Sequence, residues 1–462
     1  MNILKGKAVQ RPAKREAAYI QSMEQIIQAV SELDPDGVAF DWFAPRPKAK
    51  AAVHMENGVY RPERSAVEAR LGGIVEGSRV TRLRVEAGDG ETGGIYAKGQ
   101  GCVDVDGAYI SLSGDSTGIC GPAGGAVVSG GCLNIRNAVI SASGLTHYAT
   151  VAEKGAVLRV YDSTLISHGA PFANGEPQPT APMQVPPPPL MIEGNSRTHC
   201  SLTGSQSFFY RCKILADGWG ALSTEAAEGY VYIEANDCQI VTVRRGYAAY
   251  ADPGSHVYLN RYMIETADMA GIIGGEGNMD FVDCATRCGS VFMLMHSVFG
   301  EPEEICYVTV SGGRVRSARE CFLIRSCNVC VVLEDTDIQA ENGILVHSVI
   351  NDDPLATPAG LDPYGAEITL KRMHASGDII HEDTQREMWL TLESAALRGK
   401  IQNAHLSMDA GSKWFATSDS EVTLLGEVYT DQIDAPKGVT INLYGAQTGR
   451  VELRSGGVLN LI

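Results

Sequence analysis

No stretch of the sequence approaches the ~20 consecutive apolar residues of a membrane-spanning helix, so no membrane partner is expected. The first residues, MNILKGKAVQRPAKREAAY, lack the apolar centre of a secretory signal and read as a solvated basic terminus. Positive charge is scarce: 38 Lys and Arg stand against 55 Asp and Glu, a net charge of −17. That balance opposes the phosphate neutralisation on which nucleic-acid affinity rests, so nucleic acid is not an expected partner. The 12 cysteines never form one CxxC pair followed by a second, the spacing of a zinc site. Cys327 and Cys330 stand as a lone CxxC, and the pattern predicts buried thiols in a reducing cytoplasm. Phosphate loops, a GxSxG elbow and HExxH are also missing. Beyond residue 100 there is no amphipathic helix of the length that a doubly wound α/β fold needs between strands.

What the chain has in excess is glycine, 51 residues of 462, without a collagen period. From residue 100 the same strand–bend–strand phrase returns. It reads CVDVDGAYISLSG from Cys102, CLNIRNAVISASG from Cys132, VLRVYDSTLISHG from Val157, SFFYRCKILADG from Ser207 and YVYIEANDCQIVTV from Tyr230. Later copies include CYVTVSGGRVRS from Cys306, AEITLKRMHASG from Ala366 and MWLTLESAALRG from Met388. A unit of this kind cannot bury its apolar face alone, whereas stacked copies pair strand on strand at about 4.8 Å and share one core. Hairpin turns of the Asn-Gly type, which a β-sandwich would use, do not join two strands of one repeat.

This texture resembles the right-handed parallel β-helix proteins, the pectate-lyase-like superfold, over roughly residues 75 to 462. The resemblance implies an all-β, single-stranded, right-handed parallel β-helix. Phe209 to Ile214 looks like the FYRC-type strand of pectin methylesterases, and Gly277 to Val282 loosely like their GxxDFIFG segment. The glutamine-aspartate-threonine stretch of those enzymes is here Gly218-Trp219-Gly220-Ala221, so no catalytic residue is carried over.

The first 75 residues read as a cap region. Ile20, Met23, Ile26, Ile27, Val30 and Leu33 share one helical face in the segment 14–33, which Asp34-Pro35-Asp36-Gly37 stops. An α-helical cap over the open N-terminal end is the expectation, because uncovered solenoid ends expose core and unpaired strands. The strand-like C-terminus shows no such cap and is a candidate surface for a second subunit, hence a homo-oligomer. Two long loops are expected to leave the coil, near residues 168–199, with Pro186 to Pro189, and near 350–364.

On a coil, side chains one repeat apart form columns, so a site is sought by aligning repeats. Aligning the closing strands places Tyr250, Gly274, His296, Arg325, His347 and His381 at one position, with Thr224 and Glu225 near the top. Imidazoles can exchange protons near neutrality and a guanidinium can grip a carboxylate or phosphate. The candidate catalytic residues are therefore His296, His347, Arg325 and Tyr250. Candidates for substrate binding are His381, Trp219, Glu225, Arg245, Tyr247, His168, Arg197 and His199. No cofactor is expected; a divalent metal on His296, His347, His381 and Glu382 is the weaker alternative. The plain alternative throughout is that these side chains cap turns or solvate the outer face, since a one-residue slip reverses the facing.

The function expected first is an intracellular enzyme using acid–base chemistry on a sugar-derived or other polar small molecule or oligosaccharide, of lyase, isomerase or glycoside-hydrolase type. The alternative is a non-catalytic β-helix that binds a glycan or a protein.

Overall fold

The computed structural model describes residues 3–7, 48–116, 121–169, 196–225, 229–296, 305–351, 365–383, 385–445 and 447–462. Among them are strands joined by bends and three 3-10 turns, with no α-helix. No helix among the described residues is long and apolar enough to cross a membrane. The chain divides into two compact units, residues 20–271 and residues 272–462 with 1–19.

In the 20–271 unit most strands come in threes. The first strands of successive repeats are Cys102–Asp106, Cys132–Arg136, Val157–Tyr161, Gln206–Tyr210, Val231–Asn236 and Ser255–Asn260. Each pairs in parallel with its counterpart one repeat away. The second strands, from Tyr109–Ser113 to Met263–Thr266, do the same, as do the third, from Thr92–Lys98 to Tyr247–Ala251. The result is a long, mostly parallel sheet of the β-helix or solenoid kind.

Local sequence explains the arrangement. First and second strands alternate buried and half-exposed residues, the signature of a sheet with one wet face. Their inward residues stack by type: Ile110, Ile140, Leu165, Ile214, Ile240 and Ile264 are consecutive partners and all fully buried. Each such side chain contributes about 1.5–3 kcal/mol through burial. Two residues make the bend from first to second strand. The leading one has a left-handed backbone, as at Asn137, Asp162, Arg211, Asp237 and Arg261, with φ between 49° and 55°. The following residue is buried in the corner: Ala138, Ser163, Cys212, Cys238 and Tyr262. Bidentate ion pairs join these bends across repeats, Arg211 to Asp162 and Arg261 to Asp237, each at 2.7 and 2.8 Å. The corner also accounts for the burial of Cys212 and Cys238.

The 272–462 unit repeats the plan with first strands Gly277–Val282, Ile305–Ser311, Asn328–Glu334, Ala366–Lys371 and Met388–Glu393. Strand Ile3–Lys5 runs antiparallel to Glu427–Tyr429. At the C-terminal end, Val458–Leu461 pairs in parallel with Thr440–Tyr444, and Gly449–Glu452 folds back antiparallel along it.

The expected helix at 14–33 lies outside the described residues, as do most of the loops at 168–199 and 350–364. Strand Lys50–Glu56 pairs in parallel with Thr92–Lys98.

Candidate functional site

The closing strands of the 20–271 unit differ from the others. Every residue of Arg197–Leu202 and of Gly220–Glu225 is buried, so these strands are covered on both faces. They nevertheless carry Arg197, Thr198, His199, Ser201, Ser223, Thr224 and Glu225, whose polar atoms must find partners away from water.

Arg197 is the hub. Its Nη2 pairs with the Glu225 carboxylate, and both side chains are 5% exposed. Its Nη1 donates to the Tyr148 hydroxyl at 2.9 Å, and its Cζ lies 5.0 Å from the centre of the Trp219 ring. Trp219 Nε1 in turn donates to the Tyr247 hydroxyl at 2.7 Å, which lies 2.9 Å from Ser223 Oγ. The rings of Tyr247 and Tyr250 are 5.9 Å apart, and the Tyr250 hydroxyl donates to Asp252 at 3.0 Å. Trp219 can stand so close to Tyr247 because Gly220 lies beneath it, where a Cβ would meet the Tyr247 ring at 2.3 Å. Burial pushes the Glu225 carboxyl up to about 8, with Arg197 opposing and Asp252 adding to the rise. Burial also raises the Tyr148 and Tyr250 phenols well above their ordinary value, and that of Tyr247 to about 12. Beside this hub runs a chain of uncharged groups. His199 Nδ1 lies 3.0 Å from Thr150 Oγ1 and its Nε2 2.8 Å from Ser201 Oγ, which is 2.7 Å from Ser207 Oγ. Burial lowers the His199 imidazole to about 3, so it is neutral at physiological pH.

Six of the residues singled out from sequence therefore gather within one unit: Arg197, His199, Trp219, Glu225, Tyr247 and Tyr250. Two others do not join them. His168 is exposed beside Asp217 at 3.8 Å, and Arg245 is exposed in an ion pair with Asp268 at 3.0 Å.

In the 272–462 unit the register corrects the proposed single column. His296 is the direct partner of Arg325, and both are buried. His347, however, pairs with Leu323 and Ile380, and His381 pairs with Ser348. Two offsets cause this: Arg325 pairs with Val349, two residues beyond His347, and a bulge between Ile344 and Val346 shifts the pairing with Asp378–His381 by one. Consequently His296, His347 and His381 occupy three columns, and among the described residues no three His, Cys, Asp or Glu are placed to hold a metal ion. Burial lowers His296 to about 3, and the Arg325 charge adds to that. His347 lies between two carboxylates, 3.6 Å from Glu320 and 3.2 Å from Glu382. Its bond to Glu320 raises its pKa, and the same bond brings Glu320 down to about 2.

A second feature of the 20–271 unit was missed in the sequence. The outward residues of its first strands form an aromatic face. Tyr161 and Tyr210 stack at 5.1 Å and 13°, with the Arg136 guanidinium 4.5 Å from the Tyr161 ring. Phe208 lies edge-on to Tyr232 at 5.9 Å, with Arg159 Cζ 5.7 Å from the Phe208 ring, and Tyr232 meets Tyr230 and His256 at 6.3 and 5.4 Å. Glu234 accepts from Tyr232 at 2.9 Å and from Asn236 at 2.7 Å, so directional polar groups border the rings. These rings are half-exposed, and Tyr230 is 52% exposed. Aligning the opening strands at their last residue, Asp106, Arg136, Tyr161, Tyr210 and Asn236, would have found one of these columns. Compared with protein-family models, curated proteins and solved structures, the chain shows no match.

Proposed function

We propose that this chain is a glycan-binding protein, a right-handed, single-stranded parallel β-helix whose opening-strand face receives an oligosaccharide. The aromatic face carries this reading. Half-exposed phenol rings one repeat apart, at the ~4.8 Å pitch of paired strands, are close to the length of one pyranose residue. With Tyr161 stacked between Tyr210 and Arg136, the pair offers ring edges and hydroxyls to a sugar, while Arg159, Glu234 and Asn236 supply hydrogen-bonding groups at the margins. A contiguous half-exposed apolar patch with a polar border is a feature of interaction surfaces. The net charge of −17 disfavours the other stacking ligand, a single-stranded nucleic acid.

A second reading, acid–base catalysis on a sugar-derived molecule, is favoured by one observation. Glu225 is a buried carboxyl raised to about 8, so it could give a proton at neutral pH. Here Arg197 would orient it and Tyr148 and Tyr247 would supply further donors. An oligosaccharide array probed with the purified chain, followed by product analysis of each captured sugar, separates the two. The binding reading expects capture without turnover, unchanged in Glu225→Gln. Turnover that is lost in Glu225→Gln would replace it with the enzymatic one.

A further inference from the structure

A groove of about 630 Å³ lies on the 272–462 unit, far enough along the chain to share no residue with the aromatic face. Its floor is a four-stranded parallel patch, His374–Ser376, Ala396–Arg398, Lys413–Phe415 and Ile433–Asp434. The register builds the groove. Ala375, Leu397, Trp414 and Ile433 form one buried row, which leaves two outward rows: His374, Ala396 and Lys413, then Ser376, Arg398, Phe415 and Asp434. Small side chains at Ser376 and Ala396 keep the floor low between longer walls. The volume falls in the range of small-molecule sites.

The charge of this groove runs against that of the chain. His374, Arg398, Lys413 and Arg454 line it against Asp431 and Asp434, in a protein that is strongly acidic overall. The two carboxylates already have partners: Asp431 takes Lys413 at 3.7 Å, and Asp434 accepts from the Ser455 hydroxyl at 2.6 Å and from two backbone N–H groups at 2.9 Å. Arg398 and Arg454 are exposed, and no ion pair within 4.0 Å holds either among the described residues, although the Arg454 charge acts on the Asp434 carboxylate. The Arg398 guanidinium rests 4.6 Å from the centre of the Phe415 ring, which steadies its planar fork while leaving its donors available.

From this geometry we infer an anion-binding site for a small sugar acid or sugar phosphate, gripped by Arg398 and Arg454. The shared chemistry is an oxyanion on a sugar-sized body: guanidinium forks take the carboxylate or phosphate, and the apolar floor takes the ring. The site stands independently of the glycan proposal, since it uses other residues and a charged ligand.

The test is calorimetric titration of the full chain with glucuronate, glucose 6-phosphate and, as the uncharged control, glucose. Glucuronate or glucose 6-phosphate should bind, and which of the two binds identifies the anion; glucose should not. Affinity should fall about tenfold or more in Arg398→Gln/Arg454→Gln, and should fall with added salt. Both arginines are exposed, so the double variant should keep the wild-type melting temperature, and Arg398→Lys should recover only part of the affinity. Absence of binding by both anions, or equal affinity in wild type and double variant, would overturn the site. So would glucose binding as tightly as glucuronate.

Discussion

At pH 9, above the value of about 8 to which burial raises Glu225, replacing Arg197 with Met should cost about 3–5 kcal/mol of unfolding free energy, the penalty for removing one member of a buried ion pair. The reason lies in what remains. Glu225 is 5% exposed, and with the guanidinium gone its carboxyl faces the Tyr148 and Tyr247 phenols and the Asp252 charge, none of which replaces a cation. It must either stay charged without a partner or take up a proton. Either route is unfavourable by several kcal/mol relative to a hydrated carboxylate. The double variant Arg197→Met/Glu225→Leu should recover most of that loss, because apolar side chains of similar volume fill a buried site without the desolvation cost. Urea unfolding of the wild type, both single variants and the double variant measures the cycle. A loss below about 1 kcal/mol for Arg197→Met would place the pair in the class of surface ion pairs and contradict the burial argument.

Acidification should destabilise the protein well above the range in which carboxylates titrate. The imidazoles of His199 and His296 are held near 3 in the folded chain, against about 6.5 when unfolded. Between those values the unfolded chain binds protons that the folded one refuses, so stability falls as pH falls from about 6.5 toward 3. The slope is up to ~1.4 kcal/mol per pH unit for each histidine. His199 meets only Thr150, Ser201 and Phe209, all uncharged, while His296 has the Arg325 charge beside it, which deepens the effect. The Glu320–His347 pair does not mask this trend. Its raised histidine contributes stability that is present below about 6.5, and its lowered carboxyl loses its contribution only as pH falls from about 4.5 toward 2. Glu225, at about 8 when folded against about 4.5 unfolded, gains stability as pH falls between those values and offsets part of this loss, so the histidine share is read by difference: His199→Gln should reduce the fall between pH 7 and pH 5 by about 2 kcal/mol. Equal pH slopes in wild type and variant would show that His199 is not buried neutral.

Much of the fold could be read from the sequence, and physical reasons mark where that stopped. Opening and middle strands alternate, because one of their faces is wet, and the alternation fixes their register in the sequence itself. Closing strands such as Gly220–Glu225 are buried on both faces and carry no period of two. An alignment of those strands by apolar residues is free to slip: Arg325 pairs with Val349, two residues beyond His347, and a bulge at Ile344 shifts His381 to the partner of Ser348. Gathering of Arg197, Trp219, Glu225 and Tyr247 was half-visible, since all four lie on or beside closing strands of consecutive repeats. The aromatic face lies on the wet side of the opening strands, where Tyr161 and Tyr210 are direct partners that an alignment of the closing strands does not reach.

The most direct measurement is the affinity of the strongest oligosaccharide from the array for the wild type and for Tyr161→Ala/Tyr210→Ala, by calorimetry at one ionic strength. Both rings are half-exposed, so the double variant should melt within a few degrees of the wild type. Loss of the stacked pair should weaken binding by about tenfold or more. An unchanged dissociation constant in a folded double variant would contradict the proposal that the opening-strand face receives the glycan.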